Sequence, residues 1–189
     1  MTPGFMPPGF DVTGTSAPWV VLVPQNTAEV QRQLSALEAK GGRVHHFTAA
    51  PDLLTEQALH RTFAQTLQFP GYYGRNWDAL VDCLDDLCGA VTGGVGIAGV
   101  IHEADPLLSL EGELFPFLVS VLCQAADRAN ARTDLDGFPL DRPAIAEHFV
   151  FEFREFDGER IAHAISGPDL TVRTKKGLVT AELNPAEWH

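Results

Sequence analysis

The chain has 189 residues, 45% of them apolar, and a formal net charge of −12 from 25 acidic and 13 basic side chains. This length suits one large domain or a core with additions, and the acidic balance disfavours nucleic acid and anionic membrane while favouring a cationic protein as partner. Three cysteines without paired metal-type spacing point to a reducing compartment rather than a disulfide framework.

Residues 1–17, rich in Pro and Gly, are expected to form a flexible arm; the opening MTPGFMPPGF lacks the basic and apolar regions of a secretory signal. Trp19 to Val23 is a continuous apolar run closed by Pro24, as in a buried strand. Asn26 or Thr27 can cap a helix that runs to about Lys40, with Val30, Leu34 and Leu37 on one stripe, and Gly41-Gly42 ends it. Arg43 to Thr48 reads as a second strand, and Leu53 to Leu67 as a second helix presenting Leu59, Phe63 and Leu67 to a core.

The segment 69–87, FPGYYGRNWDALVDCLDDL, is the most informative. Pro70-Gly71 is a strong breaker pair, Gly74 permits a positive φ, and Tyr72-Tyr73 lies between them. Asn76 is placed to cap the helix that follows. At about 100° per residue, Asp78, Asp82 and Asp85 share a narrow sector with Asp86 on its shoulder, while Trp77, Leu80, Cys83, Leu84 and Leu87 face the other way. Asp78 gains from the helix dipole. Asp82 and Asp85 lie past the first turn and repel each other, with no lysine or arginine in the helix to relieve them. A stripe of like charge beside two tyrosines reads as a binding surface better than as a solvated face.

After this helix, Thr92-Gly93-Gly94 turns into a strand over Val95 to His102, and a long helix is expected from about Pro106 to Ala131, kinked or restarted at Pro116. The apolar run from Leu114 to Cys123 is too short to span a bilayer. A loop covers 133–144, and FVFEFREF, with Phe149, Phe151, Phe153 and Phe156, is a strong strand. Two short alternating runs, Asp169 to Thr174 and Leu178 to Leu183, divided by Lys175-Lys176-Gly177, give a β-hairpin signal. Alternation of strands and helices makes this an α/β protein with a mainly parallel sheet flanked by helices. Residues 18–42 would add a βα unit at the sheet edge.

PGYYGRNWDALVDCL closely resembles, without a gap over its fifteen positions, the Pro-x-Tyr-Tyr-Gly-x-Asn-x-Asp-Ala-Leu-x-Asp-Cys-Leu signature of the barstar family, intracellular inhibitors of barnase-type ribonucleases. The resemblance implies a barstar-like core over 43–156, a C-terminal β-hairpin extension over 157–189, no catalysis and no cofactor. It implies that Tyr72 and Gly74 pack into a nuclease active site, and that Asp78 and Asp82 meet its cationic side chains. Asn76 matches the capping position and Cys83 a structural cysteine. Trp77 and Val81 complete the expected partner-binding set, and both depart from the best-known member, which has leucine and tryptophan there. The implied partner is a cationic secreted ribonuclease or a related toxin, and the implied location is cytoplasmic.

Two other readings follow from the same residues. The fold would serve equally an immunity or adaptor protein for a different basic partner. Asp78, Asp82 and Asp85 would also suit a metal-dependent phosphoesterase, but no second acidic or histidine cluster stands at an obvious strand end. His45-His46 lies in a strand, where neighbouring side chains diverge, so one buried and one exposed histidine are expected. His102 with Glu103 and Asp105 is a polar group at a strand end without a nucleophile. The glycines at 93–96 have neither the lysine of a P-loop nor a dinucleotide-binding spacing.

Overall fold

The computed structural model describes residues 9–87, 89–133 and 136–186. Val20–Pro24 (β1) leads to the helix Ala28–Ala39 (α1), then to Arg43–Thr48 (β2) and Glu56–Thr66 (α2). Helix Trp77–Asp85 (α3) and the short turn Gly89–Thr92 (α4) precede Gly96–His102 (β3). A 3-10 turn over Asp105–Ser109 is followed by Leu114–Asn130 (α5) and Ala146–Phe153 (β4). The chain closes with Gly158–Ile165 (α6), Leu170–Lys175 (β5) and Leu178–Leu183 (β6).

The six strands form one sheet in the order β2-β3-β4-β1-β6-β5. The first four are parallel, with Val20 opposite Phe149 and Gly96 opposite Ala146, and β6 turns antiparallel to β1 with Val20 opposite Ala181. β4 is buried along its whole length because helices cover both of its faces, which explains its phenylalanine-rich run. On one face Val30, Leu34 and Leu37 of α1 pack on Val21, Val23, Ala98, Val100 and Val150. The other face carries the larger core, where Phe47, Ile97, Ile101, Phe149, Phe151 and Phe153 meet α2, α3, α5 and α6.

Several expectations need correction. The unit at 18–42 does not lie at the sheet edge, because β1 is held between β4 and β6. Of the expected arm, residues 1–8 lie outside the described residues, whereas Phe10 and Val12 are buried in the α1 layer. Gln33 fixes that segment by accepting from the Val12 N–H at 2.9 Å and donating to the Phe10 carbonyl at 3.0 Å. Thr27 occupies the N-cap of α1 but does not cap it; its hydroxyl donates to the Pro24 carbonyl at 2.6 Å. The second helix starts at Glu56 instead of Leu53, where Thr55 accepts the Ala58 N–H.

The long helix expected from 106 is broken at Gly112, whose φ of 90° no other residue adopts at low cost. Pro116 therefore stands in the first turn of α5, where its missing N–H has no intrahelical partner to lose. The hairpin forms as expected across Lys176-Gly177, with Gly177 at φ 73°. The sequence reading missed α6, which Asp157 caps by accepting the Arg160 N–H and which buries Ile161 and Ile165.

Candidate functional site: the Tyr72 loop and the acidic face of α3

The loop after α2 is built on aromatic contacts. Phe69 N–H bonds back to the Ala64 carbonyl and Tyr73 N–H to the Pro70 carbonyl, closing a compact turn. Tyr73 packs edge-on to Phe69 at 4.9 Å and reaches inward, its hydroxyl 2.6 Å from Nδ1 of the buried His60 on α2. Burial drives the Tyr73 phenol well above its ordinary pKa, so it stays neutral beside the imidazole. His60 also meets the Trp77 ring at 5.0 Å, joining the loop to the first turn of α3. Tyr72 points the other way and is 84% exposed.

Gly74 permits a positive φ, but the positive values in the loop fall on Arg75, at 52°, and on Gln68, at 55°. Gly74 matters for closeness: a Cβ there would lie 3.1 Å from Nδ2 of Asn76. Two non-glycine residues held left-handed at the loop's ends are a strained arrangement of the kind concentrated at functional sites. Asn76 caps α3 as expected, its Oδ1 accepting the Ala79 N–H at 2.8 Å.

Along α3, Asp78 and Asp82 are exposed on the side facing away from the core. The four aspartates do not form one uncompensated stripe, however, because cations arrive from elsewhere in the chain. Arg128 of α5 pairs with Asp82 at 3.3 Å through two largely exposed side chains, a contact worth about 0–1 kcal/mol and readily exchanged. Arg142, from the loop before β4, binds Asp85 at 2.5 Å and the Asp85 carbonyl at 2.7 Å, and it also reaches the Arg128 carbonyl. Asp85 is thus committed to holding α3 in place. Below it, Glu147 is buried and its carboxyl is pushed far up, first by desolvation and then by the Asp85 charge.

Of the expected partner-binding residues, Tyr72, Gly74, Asn76, Asp78 and Asp82 are each exposed, along the loop and the first two turns of α3. Trp77 is half-buried, wedged between His60 and Phe117 of α5, whose ring it meets at 5.0 Å. Val81 does not belong to the surface: it is 3% exposed and packs in the main core with Leu80 and Leu84. A valine there fills the interior where the family's best-known member has tryptophan. His60, Phe117, Arg128 and Arg142 escaped the sequence reading because each contributes through a distant element. Phe117 lies in the apolar run from Leu114 to Cys123, and nothing in that run shows that its ring stays 44% exposed.

The family model described as Barstar (barnase inhibitor) matches residues 45–138, which run from β2 to the loop before β4 and include the whole Tyr72 loop and α3. Residues 45–138 are a barstar-family domain. No curated protein matches the chain. The barstar domain supplies the loop and acidic helix, whereas β1, α1, β4 and everything after them lie outside the match.

Other polar groups lie apart from this surface. His45 and His46 diverge as expected: His45 Nε2 is 2.9 Å from the Val91 carbonyl, while His46 is exposed on the α1 face. There His46 Nδ1 is 2.8 Å from His102 Nε2, and His102 Nδ1 is 2.8 Å from the buried Glu152 carboxylate. His102 therefore partners its neighbours on β2 and β4, not Glu103 or Asp105. Asp105 accepts the Arg154 and Glu155 N–H groups, which hold its carboxyl below the ordinary range against the desolvation that raises it. Among the described residues, no three His, Cys, Asp or Glu side chains are grouped to hold a metal ion. Burial raises the thiols of Cys83 and Cys123, keeping both protonated, and Cys88 lies outside the described residues. No helix among the described residues is long and apolar enough to cross a membrane.

Proposed function

We propose that the chain is a non-catalytic inhibitor that blocks the active site of a cationic, barnase-type ribonuclease with the Tyr72 loop and the exposed carboxylates of α3. The observation that carries this reading is the adjacency of Tyr72, 84% exposed, and the exposed Asp78 and Asp82 on a base tied together through His60, Tyr73 and Trp77. A ribonuclease gathers cationic side chains around its substrate phosphate. A carboxylate on a rigid helix stands in for that phosphate, and an exposed tyrosine supplies contact area at low entropic cost. Asp82 exchanges its weak tie to Arg128 for the cations of the partner. The net charge of −12 adds long-range attraction, which raises the encounter rate. An inhibitor of this kind acts in the cytoplasm of the cell that makes the nuclease.

The test is a titration of ribonuclease activity with the purified protein, beginning with basic ribonucleases retained on it in a pull-down. Stoichiometric inhibition is expected, with an association rate that falls steeply as salt rises and a dissociation rate that changes little. Retention of a basic protein without any loss of nuclease activity would instead favour the immunity or adaptor reading.

A further inference from the structure

The aromatic contacts do not end at Trp77. They continue through Phe117 to a groove of about 180 Å³ between the start of α5 and the turn joining α6 to β5. Its apolar lining includes Pro116 and Phe117 on one side and Ile165 and Leu170 on the other, with Glu113 and Asp169 among its polar residues and, among the described residues, no Lys, Arg or His. The wall formed by 165–170 lies outside the 45–138 match, so only this chain's C-terminal segment completes the groove.

We infer that this groove receives an arginine side chain of the basic protein partner, extending the barstar surface across Trp77 and Phe117. The inference rests on the inhibitor reading for its partner but not for its chemistry. Arginine satisfies all three features of the lining at once. Its aliphatic stem covers apolar wall, its guanidinium lies against the exposed Phe117 ring, and its fixed fork of N–H donors meets carboxylates. A wholly apolar side chain would desolvate Glu113 and Asp169 without pairing them, which costs free energy. A lysine offers a point charge that is more strongly hydrated and less suited to the ring. Trp77, which Phe117 touches, immediately precedes Asp78 in the first turn of α3, so the proposed surface runs from the groove to the start of that helix.

Two measurements test this separately from the inhibitor reading. In the first, N-acetyl-arginine amide is titrated into the full-length protein and followed by amide NMR, with N-acetyl-norleucine amide as the uncharged control. Shifts at Phe117, Ser120, Gly167 and Leu170 are expected for the arginine compound alone, lost in Glu113→Gln/Asp169→Asn and kept in Asp82→Ala. No shift, or equal shifts from the norleucine compound, overturns the proposal. In the second, Glu113→Gln/Asp169→Asn and Phe117→Ala are each expected to weaken inhibition of the ribonuclease by about tenfold, the first with unchanged unfolding temperature and the second with a lower one because its ring packs on Trp77. If Asp82→Ala abolishes inhibition while these variants match the wild type, the arginine groove is wrong and the inhibitor reading stands. If arginine amide binds but no basic ribonuclease is inhibited, the groove stands and the inhibitor reading fails.

Discussion

Asp82 lies one turn beyond Asp78 within α3, whereas Asp86, equally exposed, is the C-cap residue on the shoulder of that stripe. Replacing Asp82 with alanine should weaken partner binding by more than about 2 kcal/mol, the usual hot-spot threshold, while Asp86→Ala should cost far less. Titration calorimetry of the two variants checks this, and equal losses would indicate diffuse charge instead of a site. His60 gives a second prediction at this scale. Burial lowers its pKa below the ordinary 6.5, more than the Glu56 carboxylate raises it. A histidine whose folded pKa is depressed binds protons more readily when unfolded, so its stabilising effect is present above pH 6.5 and is lost as pH falls through the folded value. His46, lowered by burial and by His102, acts in the same sense. Buried Glu147, with its raised pKa, acts in the opposite sense, favouring the fold at lower pH. The comparison of wild type with His60→Gln isolates the histidine: urea unfolding should show the wild type losing more stability than the variant between pH 7 and pH 5, and parallel curves would remove His60 as the cause.

At the scale of elements, α3 is short, and its position depends on its neighbours more than on its own helical propensity. Asn76 holds its start; Leu80, Val81 and Leu84 bury one face; Arg142 holds its end through Asp85. Arg142→Ala would leave the half-buried Asp85 carboxylate without its charged partner and closer in effect to Glu147. A destabilisation of about 1–3 kcal/mol is expected, read as a shift in the urea midpoint. Asp85→Asn in the same background should recover part of the loss, because it removes the unpaired charge. The His60 link acts at the other end of α3. It explains why the loop's inward tyrosine, Tyr73, is structural while its neighbour Tyr72 is free to touch a partner.

For the whole molecule, α6, β5 and β6 of the C-terminal extension are built into the sheet and core instead of covering one edge. β6 pairs directly with β1, and Ile161, Ile165, Leu170, Val179 and Ala181 belong to the main apolar cluster. Truncation after Asp157, which the sequence reading would have treated as removal of an extension, should expose that cluster and unpair one side of β1. Calorimetry should then show loss of the cooperative unfolding transition, and inhibition should disappear with the fold. A truncated protein that still unfolds cooperatively would restore the view of an independent core at 43–156. Variants confined to Lys175-Lys176, at the solvated hairpin tip, should leave unfolding unchanged by comparison.

The sequence by itself determined the elements whose signals are local: the alternation of strands and helices, β2 at its observed bounds, the Asn76 cap, the hairpin turn, and the exposed Asp78 and Asp82. Each depends on periodicity, a cap or a turn residue, which act over a few positions of the chain. The tertiary structure alone decided what distant residues do to one another. It put β1 inside the sheet because β6 returns to cover its free edge, and it buried Val81 because α5 and the sheet close over that side of α3. It supplied Arg128 and Arg142 to aspartates that look unrelieved within their own helix. It also decided α6, because Ile161 and Ile165 carry too short a pattern to announce a helix and are held by packing in one cluster with Val179 and Ala181. Side-chain burial and charge pairing depend on contacts between residues tens of positions apart, and no local pattern records them.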